Sequence, residues 1–524
     1  MLDTLRRPMK RGLSRIEGGF DRVFGPTWNP WRQLGTMSFF FYWIAAVSGI
    51  YVYILFDTSV NGAFDSVEYM THHQWYLGGV MRSFHRYASD AMVVTTLLHL
   101  MREFILNRYQ DVRWYAWLTG IPILWFLYMS GVSGYWLVWD SLAQHIAVTS
   151  MHWLDWLGIF GEPVATNFLT RGSLTDRFFT LLVFIHIFVP LGLLFLMWIH
   201  LIRVNRARYN PPRGVVIGSL VMLTLLALIH PAVSHVRADL GVVPGVLSLD
   251  WFYLVGYPLY DAWGAGPLWV VAVGSSLVLS ALPWLPPRPK PVMPAQVTLD
   301  HCNGCGRCFN DCPFSAISMV PRTDGRAVAI QPKVDPDMCS GCGMCMGACN
   351  TSIPFRRGED LLTGIDRPNL PFRELKARTV EAMARLRSVG REGRVIVFGC
   401  DHGVDPMALE EKGVAAIRLP CTGMLPPSFI EFALSGEDAV DGVLLTGCRR
   451  NDCFHRWGDR WTEERIAGLR EPWLKDRVPR MRVRVFWGGD GDGEALREAL
   501  AGFRTALEAN PAGSLPAVAT DAVE

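Results

Sequence analysis

Five stretches of this chain, Gly35–Phe56, Tyr115–Trp139, Phe178–His200, Gly214–Ser234 and Ala262–Pro287, contain no Asp, Glu, Lys or Arg. Each is long enough to cross a bilayer as a helix, which takes about 20 apolar residues. In lipid a spanning segment must satisfy its own backbone hydrogen bonds, so runs of this length fold as helices. A sixth apolar segment, 77–105, is interrupted by Arg82, His85, Arg86 and Asp90, and no comparable run recurs after Pro287. The 524 residues are therefore expected to divide into a six-span membrane half, 1–288, and a soluble half. The spans fall at 35–57, 77–105, 115–139, 177–203, 214–234 and 262–285.

Six spans put both ends of the membrane half on one side, and basic residues choose which side. The N-terminal "MLDTLRRPMKRGLSR", the loops "REFILNRYQDVR" and "RVNRARYNPPR", and the exit "RPKP" share one face, while the alternate loop "FDTSVNGAFDSVEY" is acidic. The reading is a multi-pass protein of a bacterial plasma (inner) membrane, with the N-terminus and everything after residue 288 in the cytoplasm. No apolar stretch precedes Met37, so no cleaved signal peptide is expected. Membrane lipid is the expected surrounding. A net charge of +2 supplies no basic excess for phosphate backbones, which excludes nucleic acid as a partner.

His85 and His99 lie in the second span, His186 and His200 in the fourth, each pair 14 residues apart. Fourteen residues make nearly four helical turns, so each pair lies on one face, about 21 Å apart along the axis. The two spans run in the same direction. His85 is thus level with His186 near the outer side, and His99 with His200 near the inner side. Two stacked b-type haems, each with two imidazole ligands, fit this pattern better than four unrelated buried histidines, because ionisable residues inside membranes are rare and usually functional. Gly35 and Gly49 in span one and Gly120 and Gly134 in span three repeat the spacing. They read as room for porphyrin, with close helix packing as the alternative.

With these residues in view, the first 285 or so positions resemble the cytochrome b family of the quinol-oxidising cytochrome bc complexes. "MRSFHRY" and "LHLMREF" carry the family's Arg–x–x–His and His–x–x–Arg flanks. The resemblance implies that Arg82 and Arg102 pair with haem propionates, and that the protein is a homodimer through its cytochrome b part. Where the family has an outer quinol-site Pro-Glu-Trp-Tyr motif, this chain reads Leu249–Asp250–Trp251–Phe252. Asp250 would keep the proton-accepting carboxylate, or be an ordinary loop aspartate. The family's inner quinone site uses a histidine where this chain has Asn205, and an acidic residue that "PPRGVVIGS" lacks. That site is expected to be lost, and something else must exchange electrons with the inner haem.

All 12 cysteines follow residue 301. A secreted disulfide framework would not cluster them so, and metal ligation is the better reading. "HCNGCGRCFNDCP" and "CSGCGMCMGACN" each carry C-x2-C-x2-C-x3-C, the signature of a two-cluster bacterial ferredoxin, in which the fourth cysteine of each run serves the other cluster. Cys302, Cys305, Cys308 and Cys349 are expected to hold one 4Fe–4S cluster, and Cys339, Cys342, Cys345 and Cys312 the other. The ferredoxin-like α+β domain spans 289–356, and a linker helix lies within 357–392.

From 393 to 508 strands and helices alternate in an α/β pattern with a partly parallel sheet. Cys400, Cys421, Cys448 and Cys453 sit mostly at strand ends, which suits a 2Fe–2S cluster or a zinc ion; His402 and His455 read as surface residues. "VIVFGCDHG", "IRLPCTGML" and "GVLLTGCRRNDCFHRWGD" resemble the iron–sulfur delta subunit of methyl-viologen-reducing hydrogenases. That resemblance implies 2Fe–2S and a flavoprotein partner. Residues 509–524 read as a disordered tail.

The expected protein is an oxidoreductase: the membrane subunit of a quinone oxidoreductase. It would carry electrons between a cytoplasmic FAD/NAD(P)-type flavoprotein and a membrane quinone, in a direction the sequence leaves open. The alternative is a membrane anchor and electron carrier with no quinone chemistry of its own.

Overall fold

A computed structural model describes residues 2–170, 172–286, 292–352, 363–388, 393–489 and 491–509. The "RPKP" exit and residues 510–524 of the expected tail lie outside the described residues. The chain forms two compact units: 23–202 with 207–288, and 1–22 with 203–206 and 289–524.

The first unit is helical. Its long helices are Leu34–Leu55, Val80–Ile105, Trp114–Val138, Asp176–Leu201, Arg213–Ile229 and Ala265–Ala281, with shorter helices at Ser141–Asp155 and Gly256–Trp263. Four segments among the described residues are long and apolar enough to cross a membrane: Leu34–Leu55, Asp111–Val138, Asp176–Leu201 and Ala265–Trp284. The other two expected spans form helices that fall outside this measure of length and composition, each for a physical reason. Val80–Ile105 is long enough at 26 residues but carries Arg82, Arg86, Asp90, Arg102 and Glu103. Arg213–Ile229 is apolar but has only 17 residues.

Phe41, Tyr42, Met92, Leu127, Leu193 and Leu223, from five of these helices, meet in one apolar core. The Ser38 and Thr95 hydroxyls, 2.9 Å apart, join the first two helices. Trp139 turns left-handed (φ 52°) after Val138, and Asp140 then caps the next helix by accepting the Ala143 N–H at 2.8 Å. The other oxygen of Asp140 accepts from the His235 N–H at 2.8 Å, which fixes a distant loop at the same corner.

In the second unit Ile317–Pro321 pairs antiparallel with Ile330–Val334, and Gln296–Val297 with Ile365–Asp366. Four strands make the larger sheet in the order Val414–Leu419, Val395–Cys400, Gly442–Gly447, Val483–Trp487, every neighbour parallel. Both outer faces of its central strands are covered, so they read as continuous apolar runs such as "VIVF" and "GVLL". The helix read as a linker, Phe372–Arg387, buries Phe372, Leu375, Ala382, Met383 and Leu386 at helical spacing. Those side chains belong to a single core that also holds Cys308, Cys345, Ile396 and Val443. The ferredoxin-like and α/β segments, read as separate domains, therefore share one interior.

A buried ion pair crosses the same boundary. The Asp311 carboxylate accepts from Arg465 at 2.7 Å and from Arg470 at 2.6 Å, and the Asp311 and Arg465 side chains are only 4% and 1% exposed. Arg465 also donates to the Gly423 carbonyl at 2.7 Å. Removing one partner strands a buried charge, a loss of about 3–5 kcal/mol. Asp311→Ala is therefore expected to lower the unfolding free energy of the purified full chain by that amount. Asp300→Ala, which frees only the exposed Arg326 pair, should cost no more than about 1 kcal/mol. Equal denaturation midpoints for the two variants would remove Asp311 from the account of this interior.

Candidate redox centres

In the helical unit the structure brings His85 and His186 together, with ring centroids 6.1 Å apart. All four histidines face a glycine. A Cβ on Gly49 would stand 2.8 Å from His85 Cε1, one on Gly134 2.9 Å from His186, one on Gly35 3.4 Å from His99, and one on Gly120 3.5 Å from His200. Each of these glycines therefore lets an imidazole ring come close to the backbone of a neighbouring helix.

Backbone and hydroxyl oxygens then fix the ring orientation. His85 Nδ1 lies 2.7 Å from the Ala45 carbonyl, which can only accept. His186 Nδ1 lies 3.0 Å from the Ser133 hydroxyl, whose own proton goes to the Ser130 carbonyl at 3.0 Å. His200 Nδ1 lies 3.2 Å from the Thr119 hydroxyl, which donates to the Tyr115 carbonyl at 2.8 Å. In all three the hydrogen-bond arithmetic puts the proton on Nδ1 and leaves the Nε2 lone pair available as a ligand. A metal-ligating histidine needs its other ring nitrogen held in this way, and the feature is invisible to histidine spacing alone.

Arg82 is hydrogen-bonded to the Thr71 hydroxyl and, at 2.8 Å, to Ser234. Arg102 is buried, with Nη1 3.8 Å from Glu103. Asp250 accepts from Arg86 at 3.1 Å, from the Tyr135 hydroxyl, and from the Phe252 N–H at 2.6 Å. Arg86 also holds Asp90 at 3.0 Å and stacks over the Tyr135 ring at 4.5 Å. Arg86 and Asp90 were visible in the sequence only as interruptions of an apolar run.

In the second unit both ferredoxin-type loops need residues in the left-handed region. Gly304, Gly306, Gly341 and Gly343 have φ of 67°, 74°, 62° and 75°, so the repeated Gly-Cys-Gly supplies the same wrap twice. Cys308 is gathered with Cys349, Cys305 and Cys302, whose negative charge, with burial as the larger cause, pushes its thiol up to about 12. Cys345 is pushed up by burial and by Cys342, Cys339 and Cys312. The latter four thiols line one cavity, walled by apolar residues such as Ala295, Phe314 and Ile317 and by Arg367. Cys302 accepts the Gly304 N–H at 3.4 Å and Cys312 the Ala316 N–H at 3.3 Å.

The last four cysteines are buried together at the carboxyl ends of the parallel strands. Hydrogen bonds from Cys421 and Cys448 hold the Cys400 thiol down to about 5. Backbone N–H groups of His402, Phe454 and Gly458 point at Cys400, Cys448 and Cys453, at 3.4, 3.4 and 3.2 Å. A Cβ on Gly458 would strike the Cys421 and Cys453 sulfurs at 2.1 and 3.1 Å. Among the described residues no three His, Cys, Asp or Glu side chains have the spacing of a single-ion site. The donor set of four thiols ringed by amides fits an iron–sulfur group. Cys342 and Met344 share an apolar cluster with this quartet. His402 is exposed and stacks on Phe454, with centroids 3.7 Å apart, as a surface histidine can. His455, expected at the surface, is instead buried, because the turn through residues 453–457 folds inward beside the thiols.

Asn205 supplies the least expected contact. Its side-chain N–H donates to the Cys312 carbonyl at 2.7 Å and its backbone N–H to the Pro313 carbonyl at 3.3 Å, while its own carbonyl accepts from the Trp457 indole at 3.5 Å.

Comparison with known proteins gives three segment matches. Residues 21–208 match the family model of cytochrome b/b6/petB, residues 301–353 that of the 4Fe–4S dicluster domain, and residues 395–509 that of the methyl-viologen-reducing hydrogenase delta subunit. The chain is 25% identical over 183 residues to the menaquinol:cytochrome c reductase cytochrome b subunit of Geobacillus thermodenitrificans, and 26% to that of Bacillus subtilis (strain 168). Each alignment covers 34% of this chain and 80% of the relative. A solved structure described as a hyperthermophilic respiratory Complex III aligns with a TM-score of 0.41 at 20% identity, over 48% of this chain and 74% of its own. In its three segments the chain is thus similar, in order, to cytochrome b, to the 4Fe–4S dicluster domain and to the hydrogenase delta subunit, and the first segment is similar to the cytochrome b subunits of menaquinol:cytochrome c reductases.

Proposed function

We propose that this chain is the membrane electron-transfer subunit of a quinone oxidoreductase, working between a cytoplasmic flavoprotein and a membrane quinone. His85 with His186 and His99 with His200 would each hold a b-type haem. Cys302, Cys305, Cys308 and Cys349 would hold one 4Fe–4S cluster, Cys312, Cys339, Cys342 and Cys345 the second, and Cys400, Cys421, Cys448 and Cys453 a 2Fe–2S cluster. When bound, these groups supply one-electron carriers.

The observation that carries the reading is Asn205. It stands five residues after His200 in the chain, at the position where the cytochrome b resemblance implies a quinone-site histidine, and it is spent on the carbonyl of the cluster cysteine Cys312. The residue that stands in place of the inner-site histidine is thus tied to a cysteine loop of the ferredoxin type, which supports an iron–sulfur partner where the resemblance would have a quinone. The order within the second unit follows from packing. The Cys339 set is joined to Asn205 through Cys312 and to the last quartet through Cys342 and Met344. The Cys302 set has the exposed thiol, Cys305. This favours the Cys339 set as a junction with the Cys302 set as a side branch, not a strictly linear series.

At the quinone end Asp250 is the proposed proton acceptor, and Arg86 holds its carboxylate in place. The alternative, a pure anchor and carrier, has Asp250 serving only as the partner of Arg86. Asp250→Asn separates the two: quinone turnover in membranes is expected to fall at least about a hundredfold with both haem spectra intact, the usual scale for losing a general base. Unchanged turnover would establish the anchor.

Three further outcomes are expected. The purified chain should carry two haems and about ten non-haem irons; about eight irons with one zinc would reassign the last quartet. A flavoprotein with a dinucleotide fold should co-purify from native membranes, and its absence would remove the cytoplasmic half of the proposal. Ser133→Ala and Thr119→Val remove the acceptors that fix His186 and His200, and each should weaken retention of one haem about 10- to 100-fold. Haem titration of the apoprotein reads this directly, and retention equal to wild type would show that the tautomers are set otherwise.

A further inference from the structure

Arg367 lies beyond both ferredoxin-type motifs, in the segment after the strand Ile365–Asp366. Its side chain is 6% exposed and lines the cavity formed by Cys312, Cys339, Cys342 and Cys345. Among the described residues its Nε and Nη1 have no hydrogen-bond partner. A Cβ on Gly341, between two of the cysteines, would stand 3.4 Å from its Nη2. Burial pulls the guanidinium below its ordinary range, and Cys342, Cys339 and Cys345 oppose that pull.

A buried guanidinium with unsatisfied N–H groups costs several kcal/mol unless a negative charge faces it. The other arginines of this interior have that charge: Arg465 and Arg470 hold Asp311. The Asp366 carboxylate, beside Arg367 in the chain, is turned to the backbone N–H groups of Arg367 and Phe372, at 2.8 and 3.2 Å, and to the Thr363 hydroxyl. Asp401, the other carboxylate that acts on Arg367, does so more weakly than the thiols do; it is exposed and lies 3.7 Å from Arg418. What faces Arg367 at close range is the four-thiol cavity. A cubane of four irons and four sulfides on four thiolates is an anion, and reduction adds one more negative charge.

We propose that Arg367 is the positioning counter-charge of the second 4Fe–4S cluster, stabilising its reduced form and raising its reduction potential above that of the first. The inference rests on the ligand assignment given under Proposed function. Its physical content is electrostatic: a cation at a fixed place in a low-dielectric wall favours whichever redox state carries more negative charge. The potential orders the two clusters, so Arg367 makes the junction set the better electron acceptor of the pair.

The test is an EPR-monitored redox titration of the purified full chain, with dithionite as reductant, for wild type, Arg367→Gln and Arg367→Lys. In R367Q one of the two 4Fe–4S potentials should fall, with the reduced-to-oxidised ratio at a fixed potential dropping about tenfold, equal to about 59 mV for a one-electron couple. The other potential should stay in place, and R367K should recover most of the shift. Loss of about four irons in R367Q but not in R367K would equally support a required positive charge. Two unmoved potentials in R367Q would overturn the proposal, and so would loss of the cluster in R367K as well, because the guanidinium would then be filling space. A wild-type chain with no 4Fe–4S signal would instead sink the ligand assignment itself.

Discussion

The second unit depends on one carboxylate. Asp311 precedes Cys312, and Arg465 joins it to the Gly423 carbonyl, two residues after Cys421. One buried ion pair thus ties a loop of the ferredoxin-like part to a loop of the α/β part. The Trp461 indole donates to the Asp311 carbonyl at 3.3 Å, and Arg470 lies over the Trp461 ring at 3.5 Å while reaching the same carboxylate. A buried pair of this kind is weak evidence for added stability, since desolvation offsets much of the attraction. Its use is geometric: the carboxylate is satisfied only when both loops are in register. Redox centres that exchange electrons need fixed separations, and an all-or-none ion network supplies that better than an adaptable apolar contact.

The helical unit meets the same demand with neutral groups. Imidazole nitrogens are set by the Ala45 carbonyl and by the Ser133 and Thr119 hydroxyls, each of which is in turn anchored to its own helix or offers only an acceptor. Glycines across the helix interface then fix how closely the rings approach the neighbouring backbone. The hydrogen bonds that orient these three rings come from neutral groups, which suits a site surrounded by apolar helices, where an unpaired ion would be costly.

The sequence made legible whatever is local or periodic. Charge-free runs gave the apolar helices, a 14-residue period gave the histidine pairs, and short cysteine spacings gave the thiol sets. Contacts between distant segments were not legible. Asn205 reads as the loss of a histidine until its amide is seen on Cys312, 107 positions away. Asp311 sits inside a cysteine motif whose cysteines draw all the attention, and its partners Arg465 and Arg470 lie in an unremarkable charged helix and the turn after it. His455 was misjudged because a polar turn normally faces water, whereas this one folds onto a thiol quartet. The segment 77–105 reads as an apolar run interrupted by charges, and the purpose of those charges shows only in three dimensions.

That purpose is clearest at Arg86. It stands between Asp90 and Asp250, and one guanidinium facing two largely buried carboxylates leaves an excess negative charge in a low-dielectric site. Tyr135 donates its hydroxyl to the same Asp250 oxygen that Arg86 binds, so that oxygen is already doubly engaged. Asp90, among the described residues, accepts from Arg86 alone. Asp90, Arg86, Tyr135 and Asp250 therefore form one connected set, held at fixed distances by a single guanidinium, of which the family resemblance named Asp250 alone.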